Sequence, residues 1–477
     1  MLFNSLEYII FFPIVTILYY LVPHRYRWCL LLCASYYFYM CWVAEYIFLI
    51  VCSTLVVYGT ARLSDRYQDK HKKKIFLYIS VVFNLGLLIV FKYLSFLSET
   101  VHQIFNQFNF DYSSPVVRLL MPVGISFYTF QIIGYSIDVS QGRKKAESHL
   151  GIFALFVSFF PQLVNGPIER SKEFLPQFFQ RHHLNLTLIR EGLILILWGF
   201  IKKSVIADRL ALQVDKVYSS PTDYQGLPLI IATILFSFQI FCDFSGYCDI
   251  ALGSAKVLGF RLTNNFKRPF AAKSIGEFWQ RWHITLSHWI RDYVYVPLVL
   301  NRKFQGRIGV VTAILISFFL IGLWHGPKWN YIIAGLLHGT GLIYELLTKK
   351  WRNVLFSKIP IKLRNALCLS ATFSFFCFTG IFFRASSVPD ALHIIKYSFV
   401  NLNQSWASFG FENSDLLVCI LLILLLESAH FIYHRINLNK VLLSQPLYIR
   451  WFFYYAMLFA IICFGVFTDR SFIYFQF

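Results

Sequence analysis

What most limits this chain is a succession of thirteen apolar runs, each between 16 and 25 residues long. They lie near 5–22, 28–43, 45–60, 75–97, 119–139, 150–165, 188–207, 228–252, 308–325, 329–347, 366–383, 415–433 and 451–468. A helix needs about 20 such residues to cross the ~30 Å hydrocarbon core of a bilayer. Several runs fall short, so tilted, broken or re-entrant helices are expected. Composition agrees: the chain is 57% hydrophobic and 19% aromatic, with 14% charged residues, where soluble domains carry about 25%. The expected fold is all-α and polytopic, with about 11–12 tilted transmembrane helices plus re-entrant and interfacial amphipathic ones. No repeat, soluble domain or long linker interrupts residues 1–477, which read as one membrane domain. The N-terminal run lacks a basic leader and a small-residue cleavage site, so it reads as a retained first span.

The net charge is +20. Its basic residues cluster in short loops, as the positive-inside bias and anionic headgroups favour. No basic, aromatic-interleaved soluble domain supports a nucleic-acid reading. Residues 61–74 and 348–364 hold six Lys/Arg each, whereas 98–118 and 385–414 hold one each. The basic loops are therefore expected in the cytoplasm and both termini outside. One of the five runs between Lys145 and Lys349 then fails to cross, with 150–165 and 188–207 as the candidates. The ten cysteines show no metal or redox spacing, even in CDFSGYC at 242–248, and read as packed free thiols. No metal is expected.

Residues 261–307 differ from the rest, with nine Lys/Arg against two acids. At 100° per residue, Phe278, Trp282, Trp289 and Tyr293 fall on one face of FWQRWHITLSHWIRDYVY, and Arg281, Ser287, His288 and Arg291 on the other. One interfacial amphipathic helix over 278–295 is expected, with His283 at the border of its faces. His283 has two readings, a boundary residue bonding headgroups or backbone and a site residue.

His325 stands where hydrocarbon should be the solvent, and an imidazole is costly there. The run Ile308–Trp324 is 17 residues, or about 25 Å of helix. Gly326 and Pro327 end it. His325 therefore reads as the apex of a short helical hairpin below the outer face, wetted by a funnel from outside. It is either a satisfied core histidine or a general base. His338, mid-run beside Gly339, reads as a packing residue that bonds a neighbouring helix. No phosphate loop, GxSxG elbow or HExxH motif is present.

Four segments carry a resemblance: MPVGISFYTFQIIGYSIDV (121–139), FFPQLVNGPIER (159–170), DFSGYCDIALGSAKVLGFRLTNNFKRPFAAKSIGEFWQRWHITLSHWIRDYVYVPL (243–298), and GLWHG followed by LLHG (322–339). With the ending SFIYFQF, the chain resembles the membrane-bound O-acyltransferase family, most closely its bacterial alginate O-acetyltransferase (AlgI-type) branch. The resemblance implies helices around a central tunnel, with the acyl donor entering from the cytoplasm and the acceptor from outside. It implies that His325 is the catalytic histidine and His283 the second active-site polar residue. Pro327-Lys328, Leu298-Val299-Leu300 and His288 depart from the pattern and leave the acceptor open.

The expected chemistry is acetyl transfer from a cytoplasmic thioester, acetyl-CoA, to an outer hydroxyl, with no bound cofactor. His325 acts as base and His283 bonds the oxyanion or orients the donor. Asp243, Ser245, Arg281, Ser287, Arg291 and Trp324 are candidate donor- or substrate-binding residues, and the basic stretch 261–307 could attract the donor's phosphates. The implied partners are a periplasmic acyltransferase with a nucleophilic serine, a polysaccharide acceptor and membrane lipid. An exposed outer tail, Ser471–Phe477, would dock that partner or anchor at the interface. Peptidoglycan O-acetylation, D-alanyl transfer to teichoic acid, an export protein using histidines for proton coupling, and a scaffold are the alternatives.

Overall fold

The computed structural model describes residues 1–107, 121–402, 413–435, 441–442, 444–467 and 472–473. Among these the chain is helical throughout, without strands. Eight helices are long and apolar enough to cross a membrane: Ala44–Arg66, Lys70–His102, Leu227–Val257, Gly306–His325, Trp329–Ser357, Ile361–Arg384, Ser414–Ile432 and Leu447–Phe464. This is a multi-pass membrane protein. The other expected runs form helices that are shorter, broken or, around 188–207, widened by a π-turn.

The chain divides into two compact units. The first comprises Met1–Leu193 and Ala251–Thr263. It opens with Leu6–Leu21, whose first turn is capped by Ser5, with the Tyr8 N–H donating to Ser5 Oγ at 3.3 Å. Residues 119–120 of the run 119–139 lie outside the described residues; its helix begins at Ile125, after Gly124 turns the chain at φ 76°. A side chain there would also strike the Leu163 carbonyl. The run 150–165 does not cross as a helix. Leu150–Ser158 is nine residues, or about 14 Å, and Phe159 breaks it before the four-residue helix Phe160–Leu163. Phe159 is fixed by packing: its ring lies 5.5 Å from Phe174, 5.6 Å from Phe178 and 5.1 Å from Phe260. In the same unit, buried Glu169 accepts the Thr263 N–H at 2.6 Å and the Thr263 hydroxyl at 3.1 Å. Burial outweighs these two bonds and pushes the Glu169 carboxyl up to about 7.

The second unit comprises Ile194–Ile250 and Asn264–Phe477. The segment 186–218 that feeds it stays helical but widens into a π-turn over Ile201–Ala207. The hairpin of Gly306–His325 and Trp329–Ser357 closes tightly because Gly322 faces the Tyr331 carbonyl and Gly335 the Phe318 carbonyl, where any methyl would collide. The outer helix Leu447–Phe464 buries none of its apolar window, leaving it for lipid.

Within 278–295 the sequence expectation of one helix is corrected. The chain forms Ile275–Arg281, then Ile284–Ile290, then a π-turn Arg291–Tyr295. The break falls at Trp282-His283. Amphipathic periodicity runs through it, so the pattern did not reveal it. Its cause is tertiary: the Lys267 N–H donates to the Arg281 carbonyl at 2.9 Å and the Ile284 N–H to the Asn265 carbonyl at 3.0 Å. A neighbouring loop thus takes the backbone groups that a continuous helix would use for itself.

Candidate active site

At the break, His283 adopts a left-handed conformation, φ 42° and ψ 54°. For a residue with a Cβ this costs about 1–2 kcal/mol, and such strain gathers at functional sites. The side chain is not at the border of an exposed helix, as periodicity implied, but fully buried at 0% exposure. Its ring meets Phe244 edge-on at 4.8 Å and Trp324 at 5.5 Å. Burial pushes the imidazole down to about 3, so it is neutral at physiological pH. Its Nδ1 lies 3.2 Å from Asn265 Oδ1, which also accepts the Thr285 N–H at 3.1 Å and the Thr285 hydroxyl at 3.0 Å.

His325 is the last residue of its helix, at the apex of the hairpin and 7% exposed. Its ring meets Trp324 at 5.0 Å and Phe383 at 4.9 Å, both edge-on. The Trp324 indole, 4% exposed, therefore has both histidine rings packed against it. Of the residues proposed from sequence, the structure gathers His283, Trp324 and His325.

The side chains of the others have different partners. Asp243 pairs with Lys203 at 2.8 Å and accepts the Ile473 N–H at 2.8 Å. Ser245 accepts from Lys202 Nζ at 2.9 Å, and Lys202 pairs with Asp249 at 2.6 Å. Lys203 also pairs with Asp208 at 2.8 Å. These contacts form an ion-paired wall of Lys202, Lys203, Asp208, Asp243 and Asp249. Charge was expected to stay in loops and in the interfacial helix; here paired cations lie buried on the π-turn. Arg281 pairs with Glu277 at 2.6 Å and Arg291 with Asp292 at 2.7 Å, with the arginine side chains 29% and 55% exposed. Ser287 donates to the Trp282 carbonyl at 3.3 Å across the helix break. His338 makes the expected helix-to-helix bond, its Nε2 lying 3.0 Å from Thr379 Oγ1.

The tail expectation is also corrected. Phe472 and Ile473 are buried rather than exposed, with Phe472 4.4 Å from Tyr247 and 5.8 Å from Phe244. Apolar rings on the Phe244 face and the Asp243 carboxylate capture this segment, a partner the sequence pattern did not show. The rest of Ser471–Phe477 lies outside the described residues. Sequence reasoning also missed Asn265, Thr285 and Phe244. All ten cysteines are free, and among the described residues no cluster of three or more His, Cys, Asp or Glu could hold a metal.

The candidate site is thus a pair of buried histidines packed on one indole, in a chain with spanning helices. Comparison with known proteins makes the class specific. Residues 140–388 match the model of the membrane-bound O-acyltransferase family. The chain is 39% identical over 351 residues to a probable alginate O-acetylase (AlgI) of Azotobacter vinelandii, covering 72% of this chain and 68% of that one. It is 33% identical over 403 residues to a peptidoglycan O-acetyltransferase of Helicobacter pylori, covering 78% and 73%. A teichoic acid D-alanyltransferase of Streptococcus thermophilus is 34% identical over 237 residues, covering 47% and 57%. The chain belongs to the membrane-bound O-acyltransferase family and is a transferase.

Proposed function

We propose that this enzyme moves an acetyl group from a cytoplasmic thioester, acetyl-CoA, to a hydroxyl on the outer side of a bacterial cytoplasmic membrane. The final acceptor is a cell-surface polysaccharide of the alginate kind, reached through a periplasmic partner with a nucleophilic serine. The observation that carries this reading is the pair of buried histidines packed on Trp324, in a chain 39% identical to a probable alginate O-acetylase. Both termini lie on the outer side in this reading, since the basic loops favour the cytoplasm.

His325 takes the proton of the acceptor hydroxyl as its oxygen attacks the thioester carbonyl. The tetrahedral intermediate then collapses, the carbon–sulfur bond breaks, and the departing thiolate takes the proton back from His325. The apolar rings of Trp324, Phe383 and Phe244 keep bulk water from competing with the acceptor. His325→Ala is expected to abolish acetylation of envelope polymers while the protein still accumulates in the membrane. Undiminished acetylation in that variant would refute the reading.

Peptidoglycan O-acetylation is the second reading, favoured by the coverage of the Helicobacter pylori relative, 78% of this chain. Mass spectrometry of envelope polymers from a strain lacking the protein separates the two. Loss of acetyl from muropeptides supports the second, and loss from an exopolysaccharide supports the first.

A further inference from the structure

The chemistry available to His283 depends on which of its ring nitrogens carries the proton, and the neighbours of Asn265 decide this. An amide's oxygen and nitrogen are told apart by their partners. The atom facing His283 Nδ1 also accepts the Thr285 backbone N–H at 3.1 Å, and a backbone N–H can only donate. The atom is therefore oxygen. The other arm of the same amide, Nδ2, donates to Cys248 Sγ at 3.6 Å, which fixes the same orientation. Asn265 is itself 2% exposed, and its carbonyl accepts the Ile284 N–H, so neither its backbone nor its side chain can turn. An oxygen 3.2 Å from Nδ1 requires the proton on Nδ1. In a neutral ring, Nε2 then carries no proton.

We propose that Asn265 is the positioning residue that sets the tautomer of His283, so that His283 serves the substrate as a hydrogen-bond acceptor through Nε2. This excludes the role expected from the resemblance alone, donation to the oxyanion, because a bare nitrogen has nothing to donate. It rests on the proposed acyl transfer and deepens it: of the two histidines on Trp324, His283 accepts and stays neutral, and His325 carries the proton. The elements packed against the His283 ring bring few charges. Asp243, next to Phe244, is neutralised by Lys203; His325 lies beyond Trp324; Cys248 lies on the far arm of Asn265.

The test uses the full chain in native membranes with acetyl-CoA as donor. Asn265→Ala frees the ring and is expected to lower kcat about 100-fold, within the range for a group that acts on proton transfer, with KM for acetyl-CoA unchanged. Asn265→Asp keeps the shape and the accepting oxygen but places a carboxylate at Nδ1. That favours the imidazolium and raises its pKa, so Nε2 is protonated and lost as the pH falls. Asn265→Asp should recover kcat well above Asn265→Ala at pH 8–9. The ratio of its kcat to that of the wild type should fall as the pH is lowered, because the imidazolium forms at higher pH in the variant.

An Asn265→Ala enzyme within twofold of wild-type kcat, or an Asn265→Asp enzyme no better than Asn265→Ala at any pH, would overturn the proposal. If Asn265→Ala fails to assemble in the membrane, the pH profile of the isosteric Asp variant decides alone. His325→Ala separates the layers. If it still transfers acetyl groups, the proposed function fails. If it is dead while both Asn265 variants match the wild type, only the tautomer assignment fails.

Discussion

At the scale of the residue, the site depends on what surrounds each imidazole. Trp324 separates and supports both rings, so Trp324→Ala would leave both loose beside a void. Large-to-small changes of this kind cost about 3–5 kcal/mol. The variant is expected to lose activity, with Trp324→Phe recovering part of it, measured as acetyl transfer per unit of membrane-inserted protein. Glu169 makes a different prediction. Its folded pKa lies above the unfolded value, so the folded state holds the extra proton and its stabilising effect fades as pH rises from the unfolded value through about 7. Glu169→Gln is therefore expected to raise Tm by a few degrees at pH 8 and to change it little at pH 5, followed by thermal unfolding in detergent.

His325 was legible at this scale, because a histidine before Gly-Pro at the end of an apolar run announces a helix end. His283 was legible by resemblance alone. Its left-handed backbone and burial come from hydrogen bonds to residues 265–267, which no local pattern encodes. Asn265, 18 residues away in sequence, was invisible for the same reason.

At the scale of the element, the apolar runs gave the helices, and the breaks escaped. Phe159 and His283 both interrupt stretches whose apolar pattern continues across them. In each case the interruption is held by distant partners, aromatic rings for one and a loop backbone for the other. The π-turn Ile201–Ala207 escaped too, yet it aims Lys202 and Lys203 at three carboxylates, of which Asp208 and Asp243 are buried. Removing one side of such a pair strands the other, at about 3–5 kcal/mol. Lys203→Met, which abandons both Asp208 and Asp243, is expected to reduce the folded protein recovered from membranes. Lys203→Arg should restore much of it; equal recovery of Lys203→Met and wild type would show the wall to be dispensable.

At the scale of the molecule, hydrophobicity and loop charge specify a multi-pass helical protein, and both were plain in the sequence. The division into two compact units was not, because each is built from two stretches of chain, with residues 251–263 joining the first unit from far along the sequence. The loop-charge reading predicts that reporter fusions at residue 68 and after residue 358 sit in the cytoplasm and that one near residue 386 does not. Alkaline phosphatase, active only outside, should therefore stay silent at the first two positions and give activity at the third.

The central claim is that His325 carries the proton of an acyl transfer at the end of its helix, and one measurement addresses it most directly. Membranes holding the full chain or its His325→Ala variant, at matched protein levels, are given acetyl-CoA labelled in the acetyl group, and label in the outer carbohydrate is counted. The account predicts transfer with the wild type and none above background with the variant. Equal labelling by the two would contradict it.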